Sequence, residues 1–140
     1  MNRNPLVREI QSTITDEIFY ALGLQRRGIF RHTLGWLFHA PTRRFTRATA
    51  DGDKAVGQGE LPAGSVSMIN FLGIQPIVDG LLNIPLTGPV TILSNHPGAY
   101  DSISIASLIP HMDVKIIVMK IRFYQALPHI HPKLIYASST

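Results

Sequence analysis

Val90-Thr91-Ile92-Leu93 runs directly into Ser94-Asn95-His96-Pro97-Gly98-Ala99-Tyr100-Asp101-Ser102, and Ile103 to Ile109 then return to a helical pattern. A short β-branched run, a polar loop with a Pro-Gly turn and a small-residue helix together predict a strand-to-helix unit. The alternation continues downstream: Lys115-Ile116-Ile117-Val118 reads as a strand, Phe123 to Leu127 as a helix and Leu134-Ile135-Tyr136-Ala137 as a strand. Strand, helix, strand, helix, strand is the signature of an α/β fold with at least part of a parallel sheet, in which ligands gather at the carboxyl ends of the strands.

The residues upstream read differently. Ile14, Ile18, Ala21 and Leu22 recur at helical spacing and predict a short helix over 14–24, with Thr13 or Thr15 as its cap and Gly23 and Gly28 bracketing its end. Phe30, Leu34, Leu37 and Phe38 share one face of a second helix expected from Ile29 to Ala40, with Trp36 at the border of that face. Pro41 should end it, because proline disfavours a helical residue before it. Residues 49–64 hold Asp51-Gly52-Asp53, Gly57, Gly59, Pro62 and Gly64 and read as a loop, with Pro62 leading into a helix over Ala63 to Leu72. The chain thus divides into a helical, basic, possible membrane-facing region, 1–80, and an α/β region, 81–140.

With 140 residues and 45% hydrophobic content, the chain can bury one modest core. It has no cysteine, which excludes a disulfide scaffold, a thiolate metal site and a cysteine nucleophile. Met1-Asn2-Arg3-Asn4-Pro5 lacks the apolar run of a secretory signal. The most apolar region, Ser65 to Leu82, is interrupted by Asn70, Gln75, Pro76 and Asp79, so no transmembrane span is expected.

The net charge of +4 is unevenly placed: eight arginines face three acidic residues in 1–50, whereas five basic and six acidic residues nearly cancel in 51–140. A basic front end with Trp36, Arg43, Arg44 and Arg47 beside apolar helices suits an anionic membrane surface; a solvated basic face is the plain alternative. Nucleic acid is not expected as a partner, since no finger motif and no aromatics interleaved with clustered lysines are present.

The chemistry sits in the loop after Leu93. A Pro-Gly turn can bring Asp101 back against His96, five positions earlier. In such a pair the carboxylate accepts the proton of one ring nitrogen and fixes the tautomer, while the other nitrogen takes a proton from an attacking hydroxyl. This is the base-and-orienter half of a serine hydrolase triad, with the hydroxyl supplied by a substrate. Asn95 shapes the loop or polarises a carbonyl, Pro97 and Gly98 form the turn, and Tyr100 lines a channel or packs. The structural alternative for the pair is a loop histidine followed by a helix-capping aspartate, and both roles can hold at once.

Asn95, His96 and Asp101 match in type and spacing the Asn-His, four residues, Asp signature of the glycerolipid acyltransferase family, which includes glycerol-3-phosphate and lysophosphatidate acyltransferases. The resemblance covers roughly residues 81–140. It implies an acyltransferase α/β domain, represented by its first strands and helices and incomplete at the C-terminus. His96 would be the general base and Asp101 its partner. The substrates implied are an acyl thioester on coenzyme A or acyl carrier protein as co-substrate and a lysophospholipid or glycerol phosphate as acceptor. No cofactor and no metal are implied, and the setting is phospholipid biosynthesis, peripheral on the cytoplasmic side of a membrane.

The family's later Phe-Pro-Glu-Gly-Thr-Arg type block, which holds the acceptor phosphate, has no counterpart in these residues, so a truncated and weakly active or inactive form is expected. Two other readings stay open. One is a non-catalytic membrane-surface module using Phe30, Leu34, Trp36, Leu37 and Arg43 to Arg47. The other is a thioester hydrolase using water, or Ser94 or Ser102, at the same base, although no Gly-x-Ser-x-Gly turn is present. His111, His129 and His131 read as surface histidines rather than metal ligands, and Lys120 and Arg122 as solvated charges with a possible reach to a phosphate.

Overall fold

The computed structural model describes residues 5–21, 23, 28–95, 98, 100–110 and 113–138, with the side chains of these except 21 and 28–41. It combines long helices with a small parallel sheet: α1 (Pro5–Ala21), α2 (Gly28–Leu72), α3 (Asp101–Ala106), β1 (Ile116–Met119), α4 (Arg122–Gln125) and β2 (Leu134–Ala137), with single 3-10 turns at Leu81–Asn83 and His131–Lys133.

Helix α1 begins nine residues before the expected Ile14, at Pro5, so Thr13 and Thr15 are interior residues and not caps. Their hydroxyls donate back to the carbonyls of Ile10 and Gln11, at 2.8 and 2.7 Å, which satisfies them inside the helix. Ile10 and Phe19 are buried where α1 packs on α2. Gly23, at φ +66, follows with its N–H donated to Tyr20 O, the left-handed stop its sequence predicts.

The largest departure lies in α2. Pro41 does not end the second helix, and most of the expected loop 49–64 is helical. Beyond Pro41, one face of the helix carries the buried Thr42, Thr46, Thr49, Asp53 and Val56. Burying that face offsets the backbone cost of the proline and of Gly52 and Gly57. Thr46 and Thr49 donate to Thr42 O and Phe45 O, so a threonine-rich face enters the core with its hydroxyls satisfied.

The breakers do act, but at one point. Gly59 (φ −148, ψ 26) and Glu60 (φ 65, ψ −178) leave the helical region, dividing α2 into limbs 28–58 and 61–72. In a straight helix residues 52 and 64 would be about 18 Å apart. Here a Cβ added to Gly64 would lie 2.8 Å from Gly52 O and against a Val56 methyl, so the second limb is folded back against the first. Pro62 falls in the first turn of that limb, as expected, and Gly73 (φ +68) closes it with Gly73 N–H to Asn70 O and Ile74 N–H to Ile69 O.

Strands β1 and β2 pair in parallel, Ile116 opposite Leu134 through Met119 opposite Ala137, with α4 in the crossover. Ile116, Val118, Leu134 and Tyr136 are half-buried on the inner face. Val56 and Leu61, one on each limb of α2, form a buried cluster with Val114, against which Ile109, Ile116 and Ile130 pack. The helical and α/β regions therefore share a core. The expected strand at Val90-Thr91-Ile92-Leu93 is not formed: among the described residues the sheet has two strands, and Val90, Ile92 and Leu93 are exposed. A β-branched run supplies propensity, but a strand exists only where a neighbour takes up its backbone groups. Among the described residues no helix is long and apolar enough to cross a membrane.

Candidate functional site

The Ser94 to Ser102 loop enters from the exposed 90–95 segment and ends on α3, whose Ala106 is buried and which packs on α2. Its exit is therefore anchored to the core, whereas its entry does not come off a sheet strand. His96 and Pro97 lie outside the described residues. Asp101 is the first residue of α3, after Tyr100 at the N-cap, which makes no side-chain cap hydrogen bond. Oδ2 of Asp101 accepts the N–H of Gly98 at 2.8 Å. The carboxylate consequently turns back over the loop, towards the chain that precedes it.

A Cβ at Gly98 would come 3.0 Å from Asp101 Oδ1, so a larger residue there would press on the carboxylate. Tyr100 is 45% exposed, and its carbonyl accepts both the N–H and the hydroxyl of Ser104. Asn95 and Ser94 are exposed, and Ser102 is half-buried at the start of α3. A carboxylate aimed at the loop can orient and charge-stabilise an imidazole there, and can equally stabilise the turn by its bond to Gly98.

A second histidine–aspartate pair joins distant parts of the chain. Asp53, 1% exposed on α2, accepts three hydrogen bonds: Oδ1 takes the N–H groups of His129 and Ile130 at 3.0 and 2.9 Å, and Oδ2 lies 2.8 Å from His129 Nδ1. The His129 ring lies over Gly57, where any Cβ would come within 2.5 Å of it. One turn further along, Glu60 pairs with Lys133. Asp53 and Val56 on the first limb of α2 and Glu60 at its bend thus all meet the 127–133 segment that feeds β2. His129 is thus an exposed histidine, as its sequence suggests, but one paired with a buried carboxylate. The signal was the spacing of Asp53 and Val56, which is informative only if 49–58 is taken as helix.

His131 is exposed, with Nδ1 2.7 Å from the hydroxyl of Tyr136. Desolvation by burial, with a smaller contribution from Tyr124, pushes the Tyr136 phenol up, and burial does the same to Tyr124. Lys115, by its hydrogen bond and charge, holds the Asp113 carboxyl below its ordinary range. Lys120 and Arg122 are exposed, and His111 lies outside the described residues. Among the described residues no group of three or more His, Asp or Glu is arranged to hold a metal ion. The chain matches no family model, and comparison with curated proteins and with solved structures gives no match.

Proposed function

We propose that the chain belongs to acyl transfer: His96 acts as general base, Asp101 orients it, and a fatty acyl group passes from a coenzyme A or acyl carrier protein thioester to the hydroxyl of a lysophospholipid or glycerol phosphate. In this reading the hydroxyl proton goes to the imidazole as its oxygen attacks the thioester carbonyl. The C–O bond forms, the C–S bond breaks, and the departing thiolate recovers the proton. Asp101 stabilises the imidazolium in between. The reaction serves phospholipid synthesis at the cytoplasmic surface of a membrane.

The observation that supports this reading is the direction of the Asp101 carboxylate, which accepts the N–H of Gly98 in the loop that precedes α3. Asn95, His96 and Asp101 add the motif that the sequence carries. The reading also requires that the acceptor's phosphate be held so that its hydroxyl is placed against the thioester. Misplacing the reacting hydroxyl by about 1 Å can cost a hundredfold in rate.

The test is transfer of labelled acyl groups from acyl-coenzyme A to lysophosphatidate in detergent, comparing the chain with His96→Ala. Label in the diacyl product that is abolished by His96→Ala upholds the reading. Thioester consumption that needs no acceptor points instead to hydrolysis. Product formation unchanged by His96→Ala, or absent from both proteins, would overturn catalysis by this chain and favour a non-catalytic membrane-surface module.

A further inference from the structure

Helix α2 carries a charged row that none of the chemistry above uses. On the side opposite its buried Thr42, Thr46, Thr49 and Val56, the first limb presents Arg43, Arg44, Arg47, Asp51 and Lys54, all exposed. At 3.6 residues per turn these fall within about 100° of arc over roughly 17 Å of helix, four basic groups against one acidic. The ion pairs among the described residues lie elsewhere, at Asp113–Lys115, Asp53–His129 and Glu60–Lys133. The row is mounted on a stretch of the helix whose opposite face is buried.

The same chain leaves large apolar side chains in water: Ile77, Leu82 and Leu93 are 91–103% exposed and Leu86 is 76% exposed. Between Leu61 and Val114 the only charged residues are Asp79 and Asp101, apart from Asp113 beside Val114. A basic row together with an apolar, almost uncharged segment fits a surface that offers both negative charge and hydrocarbon. A nucleic acid offers only the first, and the row carries no aromatic on which bases could stack.

We propose that Arg43, Arg44, Arg47 and Lys54 of α2 dock the chain on an anionic lipid bilayer. This deepens the acyltransferase reading by naming the surface on which it works, and it rests on that reading for its setting. Each basic side chain near such a surface contributes about fivefold to partition, so removing three lowers it by roughly a hundredfold.

The experiment is flotation of the full chain with vesicles of phosphatidylcholine alone and of phosphatidylcholine mixed with phosphatidylserine, without any acyl donor. Capture by the mixed vesicles only, loss on adding salt to about 0.5 M, and roughly hundredfold weaker binding of the triple variant Arg43→Gln, Arg44→Gln, Arg47→Gln are expected. Equal capture by neutral vesicles, unchanged binding of the triple variant, or preference for a duplex DNA oligonucleotide at the same salt would each overturn it. The neutral-vesicle and salt arms need no variant, so a folding defect cannot decide the result. His96→Ala should bind like the unmodified chain. Transfer in detergent reads the catalytic proposal without a bilayer, so either idea can fail while the other stands.

Discussion

The carboxylate of Asp53 and the loop residue His129, 76 positions later, are joined twice, once through the His129 backbone N–H at 3.0 Å and once through Nδ1 at 2.8 Å. With the N–H of Ile130 added, one buried side chain on α2 satisfies two backbone donors and an imidazole at the entrance to β2. The contact closes a long loop, so it is absent from local sequence and present only once the chain has folded.

Removing this acceptor should be costly. Asp53→Ala leaves two shielded backbone N–H groups without a partner and should destabilise by about 3 kcal/mol. His129→Ala removes one of the three bonds and should cost about 1 kcal/mol. Urea unfolding followed by circular dichroism checks the order; equal losses, or a larger loss for His129→Ala, would contradict the accounting.

Two glycines of the α2 hairpin should respond in opposite directions to alanine. At Gly52 an added Cβ has its nearest contact at 3.5 Å, so Gly52→Ala should gain about 0.5–1 kcal/mol from helix propensity. At Gly64 it meets the Gly52 carbonyl at 2.8 Å and Val56, so Gly64→Ala should lose about 1–3 kcal/mol. Thermal midpoints moving the same way would mean that the limbs do not pack as described.

Glu60 has φ +65 with ψ near 180°, a region nearly exclusive to glycine. Glu60→Ala and Glu60→Gly both lose the pair with Lys133, but only the glycine relieves the backbone. The glycine variant should therefore be the more stable of the two by about 1–3 kcal/mol, reversing the usual helix preference. Alanine equal to or above glycine in denaturant midpoint would remove the bend from Glu60.

Burial raises the Tyr124 phenol above its ordinary value of 10.0. The fold favours the neutral phenol, so this contribution is complete below pH 10.0 and is lost as pH rises through the higher folded value. Tyr124→Phe cannot ionise and should show a shallower loss of stability above about pH 10. Denaturant midpoints measured from neutral to alkaline pH should diverge there, and parallel curves would contradict the assignment.

Asp101→Asn keeps the shape of the turn and an oxygen for Gly98 N–H but removes the charge that orients an imidazole. In the acyl transfer assay the rate should fall by roughly 10²–10⁴ with little change in fold. A rate within about twofold of the unmodified chain would reduce Asp101 to a turn residue.

What the sequence determined alone is what short-range chemistry decides. The apolar runs at Ile116–Met119 and Leu134–Ala137 become paired parallel strands, the helix Arg122–Gln125 overlaps the predicted Phe123 to Leu127, Pro62 opens a helical limb, and Gly23 stops one. The order Ser94 to Ser102 puts Asp101 at the head of a helix with its carboxylate turned to the loop.

What only the tertiary structure decided is where local preference lost. Pro41, Gly52 and Gly57 lie within helix because the face holding Thr46, Asp53 and Val56 gains more from burial than the breakers cost. Val90 to Leu93 has the composition of a strand but no neighbour among the described residues to complete its hydrogen bonds. Asp53 found His129 because a buried carboxylate must be satisfied by whatever donors the fold brings to it.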